Sequence, residues 1–219
     1  MVMETKLIDV MGTDLTVVNA ARVSFGKKKK KFEEGDEKLI RYLAKHNHWS
    51  PFGHCMLQFH IKAPIFVARQ LVKHQVGLVW NEISRRYVDT EPEVYEVDKW
   101  RGKPVNKKQG SDGEIEEQGL CGHYAKVASF HALNSYQKLL DAGVAPEQAR
   151  MVLPQSLMTE WYWSGSLYAF ARVCNLRCAD DAQYETRLIA NEIDTQCKIK
   201  FPVSWKELRT WAEKSIQNT

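Results

Sequence analysis

At 219 residues the chain is long enough for one sizeable core, and 44% hydrophobic with 26% charged residues is ordinary for a globular protein. A formal net charge of +4 suits a small anionic ligand but is too mild to argue for nucleic acid. No run approaches the roughly 18 apolar residues of a membrane span, and Met1 to Lys6 lacks the pattern of a signal peptide, so a cytoplasmic location without a membrane partner is expected. Five cysteines (Cys55, Cys121, Cys174, Cys178 and Cys197) form an odd set without a CxxC pair, which argues against a disulfide framework or a zinc knuckle. They read as buried or free thiols. Cys121-Gly122-His123 is at most half a metal site, and no metal is expected.

The segment Lys6 to Met11 reads as a strand, after which Thr13 or Asp14 caps a helix running through Arg22. Lys27 to Lys31 is a lysine run followed by Glu33, Glu34, Asp36 and Glu37, and it reads as a solvated loop neutralised by its own acidic neighbours. From Cys55 to Lys62 apolar and polar residues alternate, the period of a half-buried strand. Pro64 then opens a helix from Ile65 to about His74. Residues 89–121, rich in glycine, proline and charge, read as an exposed loop or insertion.

A long amphipathic helix is expected through Tyr124, Val127, Phe130, Leu133 and Leu140, stopped by Gly143, and Pro146 opens a short one. Ser166 can cap a helix carrying Leu167, Phe170, Ala171 and Cys174 inward. Asp180 and Asp181 can start another, and Ser204 to Glu207 has the form of a capping box for the last. The result is a single α+β domain over residues 1–219, helical mainly in its second half.

The densest polar cluster runs from Gln70 through Lys73-His74-Gln75, a turn at Gly77, and Asn81-Glu82-Ile83-Ser84-Arg85-Arg86-Tyr87. Charged groups at this density need partners or water, since burying one alone costs several kcal/mol. Arg86 offers a planar fork for a phosphate, Ser84 a neutral donor, and Glu82 an acceptor for a base N–H or a sugar hydroxyl. Those are the requirements of a nucleoside monophosphate; an exposed salt-bridge network is the competing reading.

The same residues resemble the flavin-dependent thymidylate synthases, which carry Arg-His-Arg, seven residues, then Ser, within a pattern ending Asn-Glu-x-Ser-x-Arg-Tyr. Here the triplet is Lys73-His74-Gln75, and eight residues separate it from Ser84. Further blocks stand in family order: Ala21 to Phe25, His48 to His54, Lys62 to Gln70, Ala149 to Pro154, Leu176-Arg177 and Ala182 to Glu185. The resemblance covers nearly all of the chain except 26–36 and 89–121.

It implies a mainly antiparallel sheet with flanking helices and a homotetramer with shared active sites. It also implies conversion of dUMP to dTMP with methylenetetrahydrofolate as one-carbon donor and NADPH-reduced FAD as reductant. For dUMP it implicates Gln70, Lys73, Glu82, Ser84, Arg85, Arg86 and Arg177, with Arg150 from a neighbouring subunit. For FAD it implicates Ser24, His48, Ser50, Lys73, His74, Gln75, Asn81 and Glu82, and more weakly Ser166, Tyr168 and Arg172, where the family often has asparagines.

Arg177 is the expected catalytic residue. Uracil C5 is a weak nucleophile unless negative charge develops on the ring, and a fixed guanidinium beside N3 and its carbonyl stabilises that charge. No cysteine lies in the Pro-Cys context of the conventional thymidylate synthase, so a covalent-cysteine mechanism is disfavoured. Two alternatives remain open: a dUMP hydroxymethylase of the same fold, and a non-catalytic nucleotide- or nucleic-acid-binding relative.

Overall fold

The computed structural model describes residues 2–88, 90–105 and 109–216, with side chains through Trp211. Four strands, β1 (Glu4–Met11), β2 (Met56–Pro64), β3 (Leu78–Glu82) and β4 (Met158–Ser166), form one antiparallel sheet in the order β1-β2-β4-β3. The helices are α1 (Asp14–Arg22), α2 (Glu34–Lys45), α3 (Ile65–Leu71), α4 (Gln118–Asp141), α5 (Pro146–Ala149), α6 (Leu167–Arg177), α7 (Tyr184–Lys200) and α8 (Pro202–Ile216). The α+β class and the antiparallel sheet are therefore as expected.

The alternation in β2 works as the period of two requires. Leu57, Phe59 and Ile61 are buried, while Gln58, His60 and Lys62 face outward. Register places Phe59 opposite Trp163 and Ile61 opposite Trp161, so the two central strands present one large apolar face. Phe170 of α6 covers it, its ring edge-on to Phe59 at 5.0 Å and to Trp163 at 5.3 Å. Ile189 and Ile193 of α7 and Trp205 of α8 complete the core. Each such side chain contributes about 1.5–3 kcal/mol relative to exposure.

The strand β4 is not among the elements expected from sequence, although its signal is present. Trp161, Trp163 and Gly165 point inward, and Glu160, Tyr162, Ser164 and Ser166 alternate with them. Gly165 cannot carry a side chain, because a Cβ there would lie 2.4 Å from Leu78 Cδ2 and 2.6 Å from the Gly77 carbonyl oxygen. That close approach lets β3 pair along β4 from Leu78–Gly165 to Glu82–Trp161. Trp80 then stacks on Trp161 at 4.3 Å.

The loop expected after the lysine run is also shorter than expected, because Glu34 already begins α2. Its first turn is acidic, which suits a helix N-terminus, and buried Asp36 pairs with Arg22 at 3.0 Å and Lys29 at 3.1 Å. Lys29 also pairs with Glu33, so local acidic residues do neutralise part of the run.

Other boundaries move for identifiable reasons. The helix α3 stops at Leu71, before the Lys73 triplet. Asp180 and Asp181 precede α7 rather than opening it. Ser204 is the third residue of α8, not its cap: the Asp14 carboxylate of α1 accepts the N–H groups of Val203 and Ser204 at 3.1 and 2.9 Å and caps α8 from outside. Ser166 does cap α6, its Oγ accepting from the Ala169 N–H at 3.2 Å.

The helix α4 ends where Gly143 turns left-handed at φ +84°, with Val144 N–H bonded back to the Leu139 carbonyl. It begins at Gln118, inside the stretch expected to be irregular. The rest of that stretch is loop, with short bridges of Val94 to Leu157 and Arg101 to Glu114; residues 89 and 106–108 lie outside the described part.

Candidate active site

The Lys73-His74-Gln75 triplet leaves α3 and runs beside α6. The Nε of Arg177, on the last turn of α6, donates to His74 Nε2 at 2.9 Å. A guanidinium can only donate, so this imidazole nitrogen carries no proton and the hydrogen sits on Nδ1. Burial first, then the Arg177 and Arg172 charges, lower the His74 pKa to about 4. Arg177 is itself half-buried, and burial lowers its pKa from the usual arginine value. Tying its Nε leaves both terminal nitrogens available to a ligand.

Near the start of α6, the Tyr168 hydroxyl donates to Asn47 Oδ1 at 2.9 Å, and its ring lies 6.0 Å from Trp49. This contact joins Tyr168 to the loop that carries His48 and Ser50, both exposed. Lys73, Gln75, Arg172 and Ser24 are also exposed, whereas the Ser166 hydroxyl is engaged as a helix cap. Gln70 points elsewhere, its Oε1 accepting from Thr186 of α7.

A second group lies toward the far end of β3. A cavity of about 510 Å³ is lined by Glu82, Arg85, Arg150, Lys62, Thr159 and Glu160 among others. Glu82 is held from two sides, accepting from the Thr159 hydroxyl at 2.6 Å and from Trp80 Nε1 at 3.2 Å. Arg85 donates to the Thr90 carbonyl. Arg86 pairs with Glu147 at 3.3 Å, and Arg150 Nε donates to the Glu147 carbonyl at 3.3 Å, so the two arginines converge on one residue. Ser84 organises the turn between them, its Oγ accepting from the Arg86 N–H at 3.3 Å. Asn81 is exposed on β3, opposite Tyr162.

The expected nucleotide-binding residues thus fall into two sets within one chain. Arg177 and Lys73 belong to one, beside the His74 expected at the flavin, and Glu82, Ser84, Arg85, Arg86 and Arg150 to the other. None of the first set lines the cavity around Glu82 and Arg150; along the chain the two are joined through β3. Thr159, which fixes Glu82, was missed by sequence reasoning because β4 was; the alternation of residues 158–166 is the signal that finds it.

The family model described as "Thymidylate synthase complementing protein" matches residues 6–203. A flavin-dependent thymidylate synthase of Thermus thermophilus is 42% identical over 200 residues, covering 91% of this chain and 73% of that protein. One from Kosmotoga olearia is 39% identical over 211 residues, covering 94% and 90%. Among solved structures, a UMP/dUMP methylase, PolB of Streptomyces cacaoi, bound with 5-Br dUMP, superposes with a TM-score of 0.84 at 30% identity, covering 96% of each chain. The same methylase bound with 5-Br UMP gives a TM-score of 0.85 at 29% identity. The chain belongs to the flavin-dependent thymidylate synthase family.

Proposed function

We propose that the chain converts dUMP to dTMP, taking the one-carbon unit from methylenetetrahydrofolate and reducing equivalents from NADPH through FAD. The observation that carries this reading is the Arg177 guanidinium, half-buried and aimed by a neutral histidine. Beside the uracil ring it stabilises charge that develops at N3 and its neighbouring carbonyl, and C5 becomes the nucleophile. Glu82, fixed by Thr159 and Trp80, accepts from the nucleotide, and the Arg85, Arg86 and Arg150 group takes its phosphate.

The exposed polar groups fit FAD: Lys73 beside His74 and Arg172 on α6 would supply positive charge for its diphosphate, and His48, Ser50 and Asn81 would supply further polar contacts. Bound FAD, once reduced, supplies the hydride that turns the transferred one-carbon unit into a methyl group.

The sites are shared between subunits of a homotetramer, Arg177 of one chain serving the Glu82 and Arg150 cavity of another. Two observations support this. Within one chain neither Arg177, His74 nor Lys73 lines the cavity that holds Glu82 and Arg150, and α4 exposes Leu120, Tyr124, Val127 and Phe130 at helical spacing. Among the described residues no helix is long and apolar enough to cross a membrane; the reaction belongs in the cytoplasm with the other steps of nucleotide synthesis.

The test is product mass from dUMP, methylenetetrahydrofolate and NADPH. A gain of one methyl with NADPH oxidised is expected. A gain of hydroxymethyl would reassign the chain as a hydroxymethylase, and a colourless protein without bound flavin would make it a non-catalytic relative. Likeness to a UMP/dUMP methylase makes UMP the informative second substrate in the same assay.

A further inference from the structure

At the C-terminal end of α6, beside α7, two thiols and a carboxylate come together. The sulfur atoms of Cys174 and Cys178 and a carboxylate oxygen of Asp194 all lie within 4.8 Å of one another. Among the described residues this is the only such grouping of three His, Cys, Asp or Glu side chains. We propose that Cys174, Cys178 and Asp194 bind one thiophilic divalent cation of the zinc class. This proposal stands independently of the thymidylate synthase reading.

Helical periodicity brings the ligands together. Cys174 on α6 and Cys178, the residue that caps its C-terminus in right-handed helical conformation, are four residues apart and so lie on one side, and Asp194 approaches from α7. Ligands on a tetrahedral zinc ion, with sulfur at about 2.3 Å and oxygen at about 2.0–2.2 Å, stand roughly 3.5–3.8 Å apart, so the observed cluster is already near the required size.

The surroundings resemble the outer shell of a metal site. Asp194 Oδ1 accepts from Arg209 Nε at 2.7 Å and from Trp205 Nε1 at 3.1 Å, and Arg209 is itself anchored on Asn175 of α6. A carboxylate held in this way keeps its other oxygen free of rotation, the usual role of partners behind a metal ligand. Charge also balances. Two thiolates and a carboxylate exceed a divalent cation by one negative charge, and Arg209 supplies the missing positive one. Both thiol protons leave to solvent as the ion enters. Cys174 is fully buried but Cys178 is only half-buried, so solvent reaches the cluster, admits the ion and supplies a fourth ligand.

Cys178 directly follows Arg177 in the chain. A cation here therefore pins the C-terminal turn of α6 that carries the guanidinium.

The test uses the full-length, flavin-loaded protein, treated with zinc and dialysed against metal-free buffer. Elemental analysis is expected to find one zinc per chain, and X-ray absorption at the zinc edge two sulfur neighbours at about 2.3 Å. Cys178→Ser should lose the zinc and Cys121→Ser should keep it. Cys178 is the chosen position because replacing the fully buried Cys174 risks the fold itself. Failure to retain stoichiometric zinc, a shell dominated by nitrogen, or zinc retained unchanged in Cys178→Ser would each overturn the proposal. Loss of zinc from Cys178→Ser with catalysis intact would still support it, which separates this result from the fate of the thymidylate synthase reading.

Discussion

His74 can hold Arg177 only while its Nε2 carries no proton. Burial, followed by the charges of Arg177 and Arg172, keeps it neutral down to about pH 4, well below the ordinary 6.5. In the unfolded chain the same imidazole takes up its proton near 6.5. Between those values the unfolded state binds more protons, so this residue's contribution to stability is complete above about 6.5 and declines as pH falls toward 4. A glutamine in its place can still accept from Arg177 but cannot titrate. His74→Gln should therefore flatten the melting-temperature profile in that window, and a slope equal to that of wild type would show that His74 does not set it.

Arg177 calls for a different measurement, because the charge it is proposed to stabilise exists only as the uracil ring ionises. Removing one preorganised donor from such a site typically costs about a hundred- to a thousand-fold in rate. Arg177→Ala should keep its flavin spectrum and its reduction by NADPH while losing tritium release from C5-labelled dUMP by that factor. Near-normal release would remove Arg177 from the mechanism.

Among the elements, β4 positions both halves of the proposed site. Its pairing with β3 delivers Asn81 and Glu82, its Thr159 fixes the Glu82 carboxylate, and its last residue caps α6, which carries Arg172 and Arg177. The pairing depends on Gly165, where even a methyl group meets backbone at 2.6 Å. Gly165→Ala should destabilise the protein by about 1–3 kcal/mol, the usual cost of overpacking. It should also weaken dUMP binding more than flavin binding, since β3 carries the Glu82 end of the site. Denaturant melts with nucleotide titration check both; equal stability and affinity would mean that β3 tolerates the shift.

For the whole molecule, the separation of Arg177 from the Arg150 cavity makes the proposed subunit sharing testable. If each active site takes one residue from each of two chains, Arg150→Ala and Arg177→Ala leave different halves intact. Mixed and reassembled, the two inactive proteins should regain part of the activity, because some sites then combine both intact halves. A monomer in sedimentation, or no recovery after verified subunit exchange, would return the site to a single chain. The exposed apolar residues of α4 make the same point from packing. Its amphipathic pattern was plain in the sequence, yet of its 24 residues only Tyr136 is buried within the chain.

Much of this protein was legible before its structure. The alternation of residues 55–62, the Ser166 cap and the Gly143 stop are local rules, each fixed by periodicity or by a backbone hydrogen bond within a few residues. The polar cluster at 70–87 drew attention for a similar reason, since charges that dense need partners, and a phosphate-bearing ligand there is the proposal it supports. What sequence could not provide were relations between distant segments. Asp14 caps α8 from almost the other end of the chain, and Arg177 finds His74 across more than a hundred residues. Cys174, Cys178 and Asp194 form no recognisable spacing until α6 and α7 pack. Local propensity is written residue by residue, but partners brought together by packing a sheet against helices exist only once the core has closed.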